Sequence, residues 1–261
     1  MPGAGGSWSS LRSATGLGAL AVLFLPLVLS CGAPGASTAQ TSEIPQSRCT
    51  TTAADVNGWG HPMQQDNFDD RSSLANWHLY SGPGHAGNGR RMPLAISLSE
   101  GAVVITGDAD GISGGMGSDF GQMFGRWEVC AKSPASAPGY HSVLLLWPDA
   151  EDWPVGGEID FMEAVDPTRQ SVEAWLHHGA DDLRYGDSVV VDATQWHAWA
   201  VEWSPSSVTA YLDGRPWWTT TNTTTFPPRP MHLCLQVDNF GGDIAAGGQQ
   251  FVDWTRQYSF G

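Results

Sequence analysis

The chain reads as an all-β protein folded as one β-sandwich, and three observations carry that reading. Short apolar runs recur between turns, 32 glycines and 17 prolines punctuate the 261 residues, and no window of twelve residues holds a clean helical period. Neither an internal repeat nor a second composition divides the apolar part, and the length suffices for one large core. A hydrophobic content of 41% with 10% aromatic residues excludes disorder as the overall description. The 13 tryptophans outnumber the 12 Lys and Arg together, and the net charge is -15. Phosphate binding needs a basic stripe that this chain does not have, so nucleic acid is excluded as a partner.

Taken in order, the first thirty residues form an export signal. Arg12 gives the positive start, and Leu17 to Leu29 are an apolar stretch too short to span a bilayer. Val28-Leu29-Ser30-Cys31 resembles a bacterial lipobox, so the leader ends either in lipidation at Cys31 or in cleavage near Ala39. The mature protein is then extracellular or tethered at the cell surface, touching the membrane only through that lipid anchor. Residues 31 to 60 are rich in Ser, Thr, Ala and Pro without periodicity, as a flexible spacer is. Residues 61 to 261 form the domain, expected to act as a monomer.

Within the domain, Ala102 to Thr106, Gly125 to Ala131, Ser142 to Trp147, Glu158 to Val165, Ala198 to Trp203 and Met231 to Val237 have strand composition. Val208 to Leu212, Asp213-Gly214 and Arg215 to Trp218 predict a hairpin with a type I′ turn. Ser142 to Trp147 is apolar on both parities, which places it in the middle of a sheet or along a cleft. Most tryptophans then belong to the core, and a few are left to stack on flat ligand faces. Cys130 and Cys234 lie in strand-like runs, either bridged across strands or as two buried thiols, while Cys49 sits free in the spacer. No Cys-x-x-Cys spacing points to zinc or redox chemistry. The Gly-rich run from Gly82 to Arg91 lacks the Gly-Lys-Ser/Thr ending of a phosphate loop, which excludes nucleotide binding there.

Chemistry concentrates in Glu158-Ile159-Asp160-Phe161-Met162-Glu163. Three carboxylates alternate with large apolar residues, and no Lys or Arg lies between Lys132 and Arg169 to pair with them. In a regular strand Glu158 and Asp160 share a face and Glu163 points away. One β-bulge around Phe161 or Met162 restores the parity and aligns all three. Glu158 and Glu163 then stand about 13 Å apart along the backbone, and their side chains can close to the roughly 5 to 5.5 Å of a retaining glycosidase. A solvated acidic face is the other explanation, and it is costly in so apolar a strand.

These six residues resemble the Glu-x-Asp-x-x-Glu signature of glycoside hydrolase family 16, in the bulged form of laminarinases, agarases and carrageenases. The similarity extends to Gly125-Arg126-Trp127-Glu128-Val129, Leu145-Leu146-Trp147-Pro148, the segment from Trp196 to Trp203, Tyr211 to Gly214, and Phe251 through Tyr258. The resemblance implies a concanavalin A-like jelly-roll sandwich with a concave glycan-binding cleft. It makes Glu158 the nucleophile, Glu163 the general acid/base and Asp160 the assisting carboxylate, with no cofactor in catalysis. It implies a structural Ca²⁺ held by Asp253, a cleft-floor Trp147, and His177 donating to a sugar hydroxyl or to Glu163. Asn88 and Arg91 on the rim, with Gln236 and Asn239, become sugar contacts.

The expected activity is that of a retaining endo-β-glycanase on β-1,3-glucan, a polysaccharide substrate. A galactan hydrolase or a transglycosylase of the same family is the alternative, and a lectin-like binding module the rival from another class.

Overall fold

The computed structural model describes residues 47–260. The export signal, Cys31 and residues 31–46 of the expected spacer lie outside the described residues. Seventeen strands follow in the described chain. The first eight are β1 (Gln64–Asp66), β2 (Trp77–Leu79), β3 (Gly82–Pro83), β4 (Arg90–Arg91), β5 (Ile96–Ser99), β6 (Ala102–Gly107), β7 (Ile112–Ser118) and β8 (Gly125–Lys132). The rest are β9 (Tyr140–Pro148), β10 (Glu158–Ala164), β11 (Ser171–His178), β12 (Leu183–Val190), β13 (His197–Trp203), β14 (Val208–Leu212), β15 (Arg215–Thr220), β16 (Met231–Asn239) and β17 (Gly248–Tyr258).

They make two sheets. One runs β15-β14-β13-β8-β17-β6-β5 with β1 on β17, and the other β12-β11-β10-β9-β16-β7-β4-β3 with β2 on β7. Alternate residues of each strand face the layer between the sheets. Trp127, Val129, Trp199, Val201 and Trp203 fill that layer from the first sheet, and Leu144, Leu146, Ile159, Met162 and Leu176 from the second. The other parity of the second sheet lines a cleft, which is why Ser142 to Trp147 is apolar on both sides. The predicted hairpin forms at β14-β15, where Asp213 and Gly214 both have the positive φ (47° and 79°) that a type I′ turn requires.

The outer face of the first sheet is covered by residues that the composition marked as spacer. Residues 47–60 are folded, and the expected boundary near 60 is corrected accordingly. Thr52 caps the helix α1 (Ala53–Asn57) by accepting from Asp55 N–H, and Gly58 ends it in the left-handed conformation. Trp59 then packs edge-on against Tyr211 and Tyr258.

A disulfide between Cys49 and Cys130 fastens this strap. The bridge expected between Cys130 and Cys234 is therefore wrong, and so is a free Cys49. Cys130 alternates with the core residues Val129 and Ala131, so it faces out from β8. Cys234 pairs with Leu145 and Gly117 on the cleft side of the opposite sheet. The whole sandwich separates the two sulfurs, and Cys234 is a buried free thiol.

Candidate active site

β10 carries the carboxylates, and its pairing registers show how they align. Against β9, Asp160 pairs with Leu145 but Met162 with Leu144, so Phe161 is the extra residue of a bulge. Glu163 then pairs with Val143, two positions from Leu145 and on the same face. Against β11, Glu158, Asp160 and Glu163 pair with His177, Trp175 and Glu173, again all of one parity. The bulge expected near Phe161 is in place, and the three carboxylates share the cleft side.

Their depths differ. Glu158 is partly open, whereas Asp160 and Glu163 are 3% and 7% exposed. Asp160 Oδ2 lies 3.2 Å from His177 Nε2, and Oδ1 has no protein donor. Asp160 and Glu158 are in hydrogen-bonding contact, and two carboxylates in contact without a donor must share a proton. Burial pushes Glu158 well above the usual carboxylate range, with the Asp160 charge adding to it. Burial likewise raises Asp160, with Glu163 second. Glu158 and Asp160 are therefore both driven toward the protonated form.

Arg169, fully buried, anchors the end of this strand. Its guanidinium donates to the carbonyls of Ala164 and Tyr140 and to Ser136 Oγ. No carboxylate touches it, and burial lowers it to about 10.

A cavity of about 740 Å³ opens at the Glu158 end of the row, lined by Tyr80, His85, Arg91, Trp147, Trp153 and Glu158 among others. Trp147 faces it, with its ring stacked on Trp153 at 6.2 Å and 11° and its Nε1 donating to Glu151. Tyr80 lies flat over β7 because Gly115 has no side chain: a Cβ there would stand 2.4 Å from the ring. The Tyr80 hydroxyl donates to Cys234 Sγ at 2.9 Å, and burial pushes that thiol up, so the cleft floor carries a neutral sulfur.

The predicted contacts divide. Gln236 and Arg91 line the cavity, but both are bound to Asp238, Arg91 Nη2 at 2.6 Å from Oδ1 and Gln236 Nε2 at 2.7 Å from Oδ2. Asn88 and Asn239 instead knit the rim: Asn239 accepts from Gly241 N–H, and Asn88 packs beside Gly241. His177 reaches Asp160 and, through Nδ1, Asp182 at 2.7 Å. Glu163 has a different imidazole beside it, His141, with Nδ1 3.1 Å from Oε1.

Sequence reasoning missed His141, Tyr80, Trp153 and Trp175. Of these, Trp153 stood five residues before Glu158 in a Pro- and Gly-rich turn, a signal that could have found it.

Asp253 was matched to a structural calcium. Arg48 takes both of its oxygens, the backbone N–H donating to Oδ2 at 3.0 Å and Nη1 to Oδ1 at 2.8 Å. The same guanidinium donates to the Glu100 carbonyl and lies over the Trp196 ring. A fixed cation already neutralises this carboxylate, so the residues do not fit a divalent ion.

A β-sandwich whose groove joins stacked indoles to one end of a row of buried carboxyls has the layout of a glycosidase. The chain belongs to glycosyl hydrolases family 16, whose sequence profile matches residues 87–256. It is 29% identical over 151 residues to the beta-glucanase of Rhodothermus marinus, covering 50% of this chain and 51% of that protein. The match thus spans about half the length of that curated relative.

Among solved structures, the laminarinase catalytic domain of Thermotoga maritima superposes with a TM-score of 0.67 at 21% identity, covering 76% of this chain and 98% of its own. A mixed-linkage-glucan family 16 protein of Bacteroides ovatus gives 0.64 at 17%, covering 75% and 99%. At these identities the likeness establishes the jelly-roll fold.

Proposed function

We propose that the chain is a retaining endo-β-glycanase that cleaves β-1,3-glucan by double displacement. Glu158, the partly open carboxylate, attacks the anomeric carbon, while Glu163 gives its proton to the departing glycosidic oxygen. Water then enters: Glu163 takes its proton, and the oxygen displaces Glu158 from the sugar. Asp160 takes the proton that it shares with Glu158 as attack begins, and keeps it while the sugar is bound to Glu158.

The observation that carries the reading is the bulge at Phe161, which sets the second glutamate on the same face as the first. The preference for a neutral glucan is supported by the cleft's charge. Arg91 is spent on Asp238, which leaves little to hold a sulfated galactan. The beta-glucanase relative and the laminarinase-like fold point the same way. A disulfide between Cys49 and Cys130 supports export, to the exterior or to a lipid tether at Cys31.

The test is a reducing-end assay of the mature protein on laminarin, lichenan, agarose and carrageenan, with product anomers followed by NMR. Laminarin should be cleaved fastest and release the β-anomer first, and Glu158→Gln should lose roughly four orders of magnitude in kcat while still binding glycan. Faster cleavage of a galactan would move the substrate. Glycan binding without release of reducing ends would leave a lectin.

A further inference from the structure

Glu163 is gripped by an assembly that the double-displacement scheme does not require. His141 lies on the cleft parity of β9, next in line after Leu145 and Val143, and presents Nδ1 to Glu163 Oε1 at 3.1 Å. Its ring stacks on Phe240 at 3.9 Å and 19°, and Phe240 stacks in turn on His85 at 4.0 Å and 24°. His85 belongs to the turn between β3 and β4 and lines the cavity. Three stacked rings thus run from the cleft rim to the carboxyl.

Both interacting side chains are nearly closed to solvent, 12% and 10% exposed. The surroundings are acidic. Asp238, held by Arg91 and Gln236, faces His141 from β16. Glu173 faces Glu163 from β11, and Asp160 precedes it on β10.

We infer that His141 is a positioning residue for Glu163 that shares one proton with it through the catalytic cycle. The inference rests on reading Glu163 as the acid/base. Glu163 must present an O–H in the first step and a bare carboxylate in the second. An imidazole nitrogen serves both states, accepting from the carboxylic acid when neutral and donating to the carboxylate when protonated. A guanidinium could only donate. The stack on Phe240 holds the imidazole plane, and with it the direction of Nδ1, so the acid stays aimed across the cleft.

The experiment compares the full mature chain with His141→Phe, which keeps the stack and removes the nitrogen, and with His141→Asn, which keeps a donor near Nδ1 and removes the stack. Two substrates are used: the glucan that the wild type cleaves best, and an aryl β-glucoside oligomer whose dinitrophenolate leaves without acid assistance. His141→Phe should lose at least about tenfold in kcat/KM on the glucan and less than about threefold in kcat/KM on the aryl substrate. His141→Asn should recover part of the loss on the glucan.

Equal losses on both substrates would reduce His141 to a structural residue and overturn the inference. So would a wild-type profile in His141→Phe. A wild type that cleaves neither substrate would instead defeat the reading of Glu163 beneath it. Should His141→Phe fail to fold, His141→Asn decides by the same ratio of losses.

Discussion

At the centre of the carboxylate row one proton has to be placed between Asp160 and Glu158. The contact between them raises Glu158 and lowers Asp160, so the resting proton sits on Glu158 and Asp160 must take it before Glu158 can attack. Replacing Asp160 by Asn fixes a neutral donor at that point and removes the charge that, after burial, raises Glu158. Glu158 then ionises at lower pH. The acid limb of kcat/KM should move to lower pH, and kcat should fall by about a hundredfold, since an amide cannot take the proton that Glu158 must shed. An acid limb that stayed in place or moved to higher pH would contradict this placement. The row itself was legible in the sequence, because strand parity and one extra residue are local facts. His141 was not, because it stands 22 residues before Glu163 and only the register of β9 on β10 brings the two together. Asp253 misled for the same reason: the cation beside it comes from Arg48, 205 residues away in the chain.

At the scale of elements, the strap over the first sheet is closed at two points, one covalent and one electrostatic. Glu128 faces outward from β8 beside Cys130, is fully buried beneath α1, and accepts from the N–H groups of Ala53 and Ala54. Those two bonds favour the ionised form, but burial outweighs them and pushes Glu128 up to about 7. The folded chain therefore binds a proton that the unfolded chain has already released, and stability falls as pH rises from the ordinary glutamate range to about 7. The full effect is about 3 kcal/mol. Glu128→Gln should flatten that part of the melting temperature against pH, gaining on the wild type between pH 5 and 8. Parallel curves would show that Glu128 does not titrate in the window. The strap escaped the sequence reading because a five-residue helix is too short for any periodicity to show. Thr52 and Asp55 at capping-box spacing, with Gly58 beyond, were the available signal.

For the whole molecule, the two outer faces of the sandwich have different uses, and the tryptophans follow that division. Trp127, Trp199 and Trp203 are wholly buried between the sheets, Trp59 fastens the strap, and Trp147 with Trp153 stands at the cleft. Composition announced an aromatic sandwich, but which indoles face outward depends on sheet pairing and stayed hidden. The net charge of -15 acts at the same scale. A neutral glucan feels no field from it, so kcat/KM should change by less than about twofold between roughly 0.05 and 0.5 M salt. A sulfated galactan approaches against that field, and whatever slow turnover it shows should rise with salt as the repulsion is screened, the reverse of an anion drawn to a basic cleft. Measuring both polymers across one salt series separates the cases. A steep fall in sulfated-galactan turnover with added salt would mean that Arg91 and Arg184 attract the polymer despite their contacts with Asp238 and the Trp175 ring, and the preference for a neutral substrate would have to be abandoned.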